Sequence, residues 1–192
     1  MKTKQKLIYM ICTGMLLLTG CFGGTSPTSS FFILSFDSSL PIISPIKTSI
    51  GVWPVQVPDF LDRPQIVLNE TITQLNISET NRWSEPVSLI TQRSLIENLQ
   101  HQLPNTYVQT KGYDNNRFKY LVRVEIINMS GILGQTAHLS VWWILENNAG
   151  QEITRVRFEE STTCGKTYAN YVQSQNKLWG KLSEQIAIRL AK

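Results

Sequence analysis

The 192-residue sequence has few side chains of the kind that perform covalent or proton-transfer chemistry. Its cysteines are Cys12, Cys21 and Cys164, and its histidines are His101 and His138. A hydrolase needs a nucleophile and a base within hydrogen-bond reach. His101 sits between Gln100 and Gln102 on the polar side of a helical stretch, and His138 alternates with Ala137 and Leu139. Both read as structural histidines at or near the surface. Cys164-Gly165-Lys166 offers no partner base, and Glu159-Glu160 reads as a solvated pair. No G-x-S-x-G, H-E-x-x-H, P-loop or G-x-G-x-x-G pattern occurs. No His, Cys and acid spacing matches a metal site. The expectation is a chain without catalytic residues, metal or cofactor.

Cys21 is the exception, because its surroundings call for a different reaction. Lys2, Lys4 and Lys6 precede an uncharged run from Leu7 to Leu18. Those twelve residues would rise only about 18 Å as a helix, short of a bilayer core of about 30 Å. Length and flanks fit a signal peptide. The run ends in Leu18-Thr19-Gly20-Cys21, which resembles the lipobox of bacterial lipoproteins. That likeness implies cleavage between Gly20 and Cys21, a diacylglycerol on the Cys21 thiol and a palmitate-like third chain on its amino group. One acyl chain binds a membrane marginally, and several bind it stably. Phe22 follows where Asp would signal inner-membrane retention, so the outer membrane is the expected address.

Removal of residues 1–20 changes the composition that matters. The whole chain has 18 Lys and Arg against 14 Asp and Glu. Three of the lysines leave with the signal, so the mature domain is nearly neutral and gives no reason to expect nucleic acid. Cys12 also leaves and Cys21 is acylated. Cys164 then has no disulfide partner and is expected to be buried. Residues 21–30 are rich in Gly, Ser and Thr and read as a flexible tether. Its nine residues after Cys21 have an r.m.s. reach of roughly 15–18 Å. Residues 31–192 are expected to form one domain.

The elements of that domain follow from periodicity. Phe31–Phe36 is an apolar run expected to be a buried strand, followed by a loop over Asp37–Lys47. Ser49–Pro58 reads as a strand that is bent or at an edge because of Pro54. Pro58–Pro64 reads as a turn, and Gln65–Ile77 as one or two strands, with Ile72 in the alternation. Asn81–Pro86 is expected to open a helix, with Ser84 as N-cap. Its apolar stripe is Leu89, Ile96, Leu99 and Leu103, with Gln92 in one slot, and Pro104 ends it. Thr106–Thr110 is a candidate strand and Gly112–Asn116 a turn.

Phe118, Tyr120, Val122, Val124 and Ile126 alternate with their neighbours, as do Ala137, Leu139, Val141, Trp143 and Leu145. Asn147–Gly150 predicts a hairpin turn and Gln151–Glu160 the return strand. Thr167–Leu190 predicts a long helix with Tyr168, Tyr171, Val172, Leu178, Trp179, Leu182, Ile186 and Leu190 on one stripe. Of Trp142 and Trp143, on opposite faces, one should be core. Trp53 and Trp83 read as packing at element ends, and Asp62-Arg63 as a loop ion pair. Together these imply one α/β domain bordering on α+β, a mixed sheet of about five or six strands and two helices covering it.

Two blocks carry a family likeness. Val57-Pro58-Asp59-Phe60-Leu61-Asp62-Arg63-Pro64-Gln65-Ile66-Val67 is followed by Arg82-Trp83-Ser84-Glu85-Pro86. With the lipobox and the closing helix, they resemble the PqiC-type lipoproteins, the ABC-type transport auxiliary lipoprotein family. Phe60 stands where an aromatic, often Tyr, is usual. The resemblance implies a three-layer α/β/α domain similar to the anticodon-binding-like and TolB N-terminal folds. It also implies a non-enzymatic part of an envelope lipid-transport system that docks a periplasm-spanning MCE-domain protein, with a ring of identical copies as one arrangement. The matching residues Leu61, Asp62, Arg63, Pro64 and Gln65, and Arg82, Trp83, Glu85 and Pro86, are read as shaping the fold. The alternative is a periplasmic lipoprotein that itself holds a small apolar ligand.

Overall fold

Three long strands with strict alternation build the largest part of the domain. In the computed structural model, which describes residues 27–43, 46–71, 73–112 and 117–192, these are β6 (Tyr120–Ile132), β7 (Thr136–Asn147) and β8 (Glu152–Thr163). They pair antiparallel in succession. Gly134 and Gly150 take positive φ at the two hairpin turns, where a Cβ would be strained. Asn147 closes the second turn by accepting the Ala149 and Gln151 N–H groups through Oδ1.

Two shorter strands complete this sheet. β2 (Ser49–Val52) runs parallel to both β6 and β5 (Tyr107–Thr110), giving the order β5-β2-β6-β7-β8. β2 is therefore central, and it ends before Pro54, which has no N–H to give a ladder. The chain touches β6 once more at a Gln56–Glu125 bridge. A second sheet, ordered β1-β4-β3, contains β1 (Ser30–Phe32), β3 (Gln65–Asn69) and β4 (Leu75–Trp83). The class and the single domain are as expected, with eight strands in two mixed sheets among the described residues. The turn expected at Gly112–Asn116 lies mostly outside the described residues, as does Ile72.

The two helices among the described residues, α1 (Val87–Gln102) and α2 (Tyr168–Leu190), lie side by side and touch. α1 packs against β5, and α2 against β7 and β8. Trp143 faces α2 and donates its Nε1–H to Gln185 Oε1 at 3.1 Å. Gln175 Nε2 lies 3.2 Å from both the Ser130 and His138 carbonyls, tying α2 to the β6–β7 hairpin. The expected α2 stripe is buried, apart from half-buried Tyr168. Thr167 caps the helix by accepting the Asn170 N–H.

α1 departs from expectation in two respects. Asn81–Trp83 are the last residues of β4, not the entry to a helix. Ser84 caps nothing: its N–H is donated to the Phe32 carbonyl, and Pro86 holds the N-cap position without a side-chain bond. The buried face is also broader than the expected stripe, of which Gln92, Leu99 and Leu103 are buried as expected. Leu89 is exposed, while Thr91, Gln92, Ser94, Asn98 and Gln102 are buried beside Ile90, Leu95 and Leu99. Gln92 Nε2 is bonded to the Val52 carbonyl, and Thr91 Oγ1 to that of Val87, which offsets the cost of burying polar groups.

Part of the reason lies outside the helices. Residues 33–43 cross them as a strap. The Ser35 and Asp37 N–H groups are donated to Asn176 Oδ1 and Asn98 Oδ1, and that of Ile43 to the Gln102 carbonyl. His101 Nε2 lies 3.0 Å from the Leu40 carbonyl, so that nitrogen carries the proton. Leu40 packs over Gly180, where an added Cβ would come within 3.2 Å of it. The run Phe31–Phe36 is accordingly not a buried strand. Only Ser30–Phe32 pair, at the sheet edge, and only Leu34 is fully buried.

Candidate functional site

The two family-like blocks, separated by residues 68–81 in sequence, meet at one end of the three-stranded sheet. Leu61 and Asp62 donate their N–H groups to the Pro58 carbonyl, forming the turn before β3. Gln65 is opposite Arg82 in the β3–β4 ladder, and Pro64 accepts the Trp83 N–H at 2.7 Å. On the other side of β4, Phe31 and Phe32 lie opposite Arg82 and Trp83. Pairing on both edges therefore fixes Arg82-Trp83 beside Arg63-Pro64.

This junction forms a cleft of about 500 Å³ lined by Phe31, Asp62, Arg63, Pro64, Trp83, Ser84, Glu85, Pro86 and Ser88. Six of the nine block residues read from the sequence line it. Leu61 lies beneath, buried against Val67, Trp83, Val87, Met129 and Tyr171 around a void of about 10 Å³. Gln65 and Arg82 hold the ladder. Phe31 and Ser88 were not singled out by motif, since they enter only through strand pairing and helix placement. The size is typical of ligand pockets, and the walls are mainly aromatic and proline rings with charged groups at the rim.

Those charged groups are arranged differently from expectation. Asp62 and Arg63 form no ion pair with each other among the described residues, and the Arg63 backbone N–H is donated to the Leu61 carbonyl. Glu85 instead receives Arg93 Nη1 at 2.8 and 3.0 Å. Both partners are half exposed, and such a pair contributes little stability. The buried Nε atoms of Arg63 and Arg82 have no partner among the described residues. Arg82 Nη2 reaches the Glu79 carbonyl at 3.4 Å. The cleft thus offers an apolar floor with guanidinium donors and a carboxylate at its edge. It contains no nucleophile–base pair.

The remaining chemistry-bearing residues are spread through the domain. Cys164 is buried, as expected, with its Sγ 3.3 Å from the Gly165 carbonyl. Burial pushes its thiol pKa up, against smaller opposing effects of Ser174 and the Gly134 backbone, so little of it is the reactive thiolate. Burial likewise raises the Tyr171 phenol. His138 Nδ1 lies 2.9 Å from Ser161 Oγ. Glu159 pairs with Arg157 and Glu160 with Lys181, the solvated arrangement expected. Trp143 is the core member of its pair, and Trp142 sits on the face away from the helices. Lys111 Nζ lies 3.7 Å from the Trp53 ring centroid, with Arg123 also near. Among the described residues no three His, Cys, Asp or Glu side chains converge as a metal site. Gly20 and Cys21 lie outside the described residues. No described helix is long and apolar enough to cross a membrane.

The sequence model of a family described as ABC-type transport auxiliary lipoprotein component matches residues 39–187. No curated protein matches the chain. Among solved structures, an uncharacterized protein superposes with a TM-score of 0.71 at 24% identity, over 85% of this chain and 99% of its own. A Xanthomonas campestris protein of the DUF330 family gives 0.64 at 10% identity, over 84% and 95%. These two likenesses are of fold.

Proposed function

The chain belongs to the ABC-type transport auxiliary lipoprotein family, and from that premise we propose that it is a lipid-anchored, non-enzymatic component of an envelope lipid transporter. In this reading the chain is cut after Gly20, acylated on Cys21 and held at the outer membrane by residues 21–30. Its domain faces the periplasm and docks an MCE-domain protein of the same system. The observation that carries the reading is the family match over 39–187. The lipobox-like Leu18–Cys21 supplies the anchor chemistry, and burial of Cys164 removes the best candidate nucleophile.

Co-purification from detergent-solubilised envelopes tests the partner. An MCE-domain protein recovered at constant stoichiometry is the expected result. Preparations that never contain one, while the lipoprotein remains folded, would contradict it. The cleft is the docking site to examine first, because both sequence blocks converge there. A Ser88→Trp change at its wall is expected to reduce recovery of the partner at least several-fold without lowering the melting temperature.

One observation favours a second reading. A cleft of about 500 Å³ with Phe31, Pro64, Trp83 and Pro86 in its walls is large enough for a small apolar ligand. Native mass spectrometry separates the two. A stoichiometric small molecule on the isolated protein, lost in Ser88→Trp, supports ligand binding, whereas an empty protein that recovers its partner supports docking.

A further inference from the structure

Four of the twelve exposed large apolar side chains among the described residues lie close together near the start of the domain. Phe31, Ile33, Phe36 and Ile42 fall within twelve residues, and Phe31 and Ile42 are each 65% exposed, the highest values among the large apolar residues. They are carried by β1, paired with β4, and by the strap that follows it, and this segment is held firmly from beneath. Leu34 is 2% exposed, and Phe32 and Ile43 pack against the core. Backbone bonds to Asn176, Asn98 and Gln102 fix its course over both helices. The outward side chains are therefore presented by a rigid segment, where loose loop residues could fold inward.

The occupant of this surface follows from where the strap begins. Phe31 is ten residues after Cys21, and ten residues span at most about 33–36 Å even when fully extended. An acyl chain in the membrane thus holds this end of the domain, more than any other, close to the bilayer. Charge fits the same neighbour. Asp37 is the only charged residue in 27–43, and its carboxylate is occupied by the Ser39 N–H and Oγ. A surface of this kind gains from burying apolar area at a headgroup boundary and needs no anionic lipid.

We propose that Phe31, Ile33 and Ile42 rest in the interfacial layer of the bilayer that holds Cys21, so that the strap fixes the orientation of the domain on the membrane. This rests on the lipid-anchor reading above. It adds that the domain lies against the membrane on one face instead of tumbling on its tether. Phe31 is also a wall of the cleft, so the cleft would open beside the lipid surface.

The test uses the full-length protein, purified from membranes and reconstituted in vesicles of phosphatidylethanolamine with a minor fraction of phosphatidylglycerol. A photoreactive benzophenone amino acid replaces Phe31, Ile33 or Ile42, or, as controls, Ile153 or Ile188, which are also exposed. Intact mass first reads whether Cys21 is acylated. Phospholipid adducts several-fold more abundant at the strap than at the controls, and unchanged at high salt, are expected. With Cys21 acylated, adducts at the strap that join only a second copy or another protein, or lipid adducts no more frequent than at Ile188, overturn the inference. An unacylated Cys21 would instead remove the anchor itself, and the inference with it.

Discussion

Cys164 is 5% exposed and its thiol pKa is raised by burial. Reaction needs both access and thiolate, and the native fold restricts both. Alkylation by iodoacetamide at neutral pH is expected to be at least tenfold slower in the folded protein than in urea, read by mass spectrometry. The sign for stability follows from linkage. A raised pKa means that the folded state favours the protonated thiol. Its stabilising contribution is complete below the ordinary value near 9.0 and is lost as pH rises through the folded pKa. A Cys164→Ala variant should therefore lose less stability than wild type between pH 8 and 11. Close approach is just as decisive at Gly51, in the central strand β2. A Cβ there would lie 2.7 Å from Phe118 and 2.9 Å from Leu121. Gly51→Ala is expected to cost about 1–3 kcal/mol by overcrowding, measured by urea unfolding. Neither contact was legible in the sequence, because Phe118 reaches Gly51 only through the parallel β2–β6 pairing.

Among the elements, α2 could be read from its sequence and α1 only in part. The stripe through Leu190 marks α2 by period, and no local signal competes with it, while the Thr167 cap emerges only from the structure. In α1 the competing signal was Ser84. It has the chemistry of a cap and lies next to a proline, but tertiary pairing of β4 with β1 extends the strand through Trp83 and takes the Ser84 N–H. The buried face of α1 was equally hidden. Asn98 and Gln102 look like solvent residues until the strap bonds to them. The two caps give a paired prediction. Thr167→Ala should cost about 1 kcal/mol, as loss of a capping bond does, whereas Ser84→Ala should fall within about 0.5 kcal/mol of wild type. Urea midpoints of both variants in one buffer would check it. Similar losses for the two would contradict the boundaries described for these helices.

For the whole molecule, the convergence of the two blocks is the part of the site that sequence reasoning partly captured. It named Asp62, Arg63, Pro64, Trp83, Glu85 and Pro86, but as fold-shaping residues. Their common cleft depends on strand pairing, and the third wall comes from Phe31 in a strand that looked like core. Anchoring, by contrast, is written in local sequence: a basic start, an apolar run and Leu18-Thr19-Gly20-Cys21. Cys21→Ser removes the thiol that must receive lipid. It is expected to accumulate as an unprocessed precursor that keeps residues 1–20 and incorporates no labelled palmitate, read by gel mobility and radiography. The most direct measurement is the intact mass of the protein extracted from envelopes. The account predicts a chain that begins at Cys21 and carries a diacylglycerol and an amide-linked acyl chain. A chain with a free, unmodified amino terminus recovered from the aqueous fraction would contradict it.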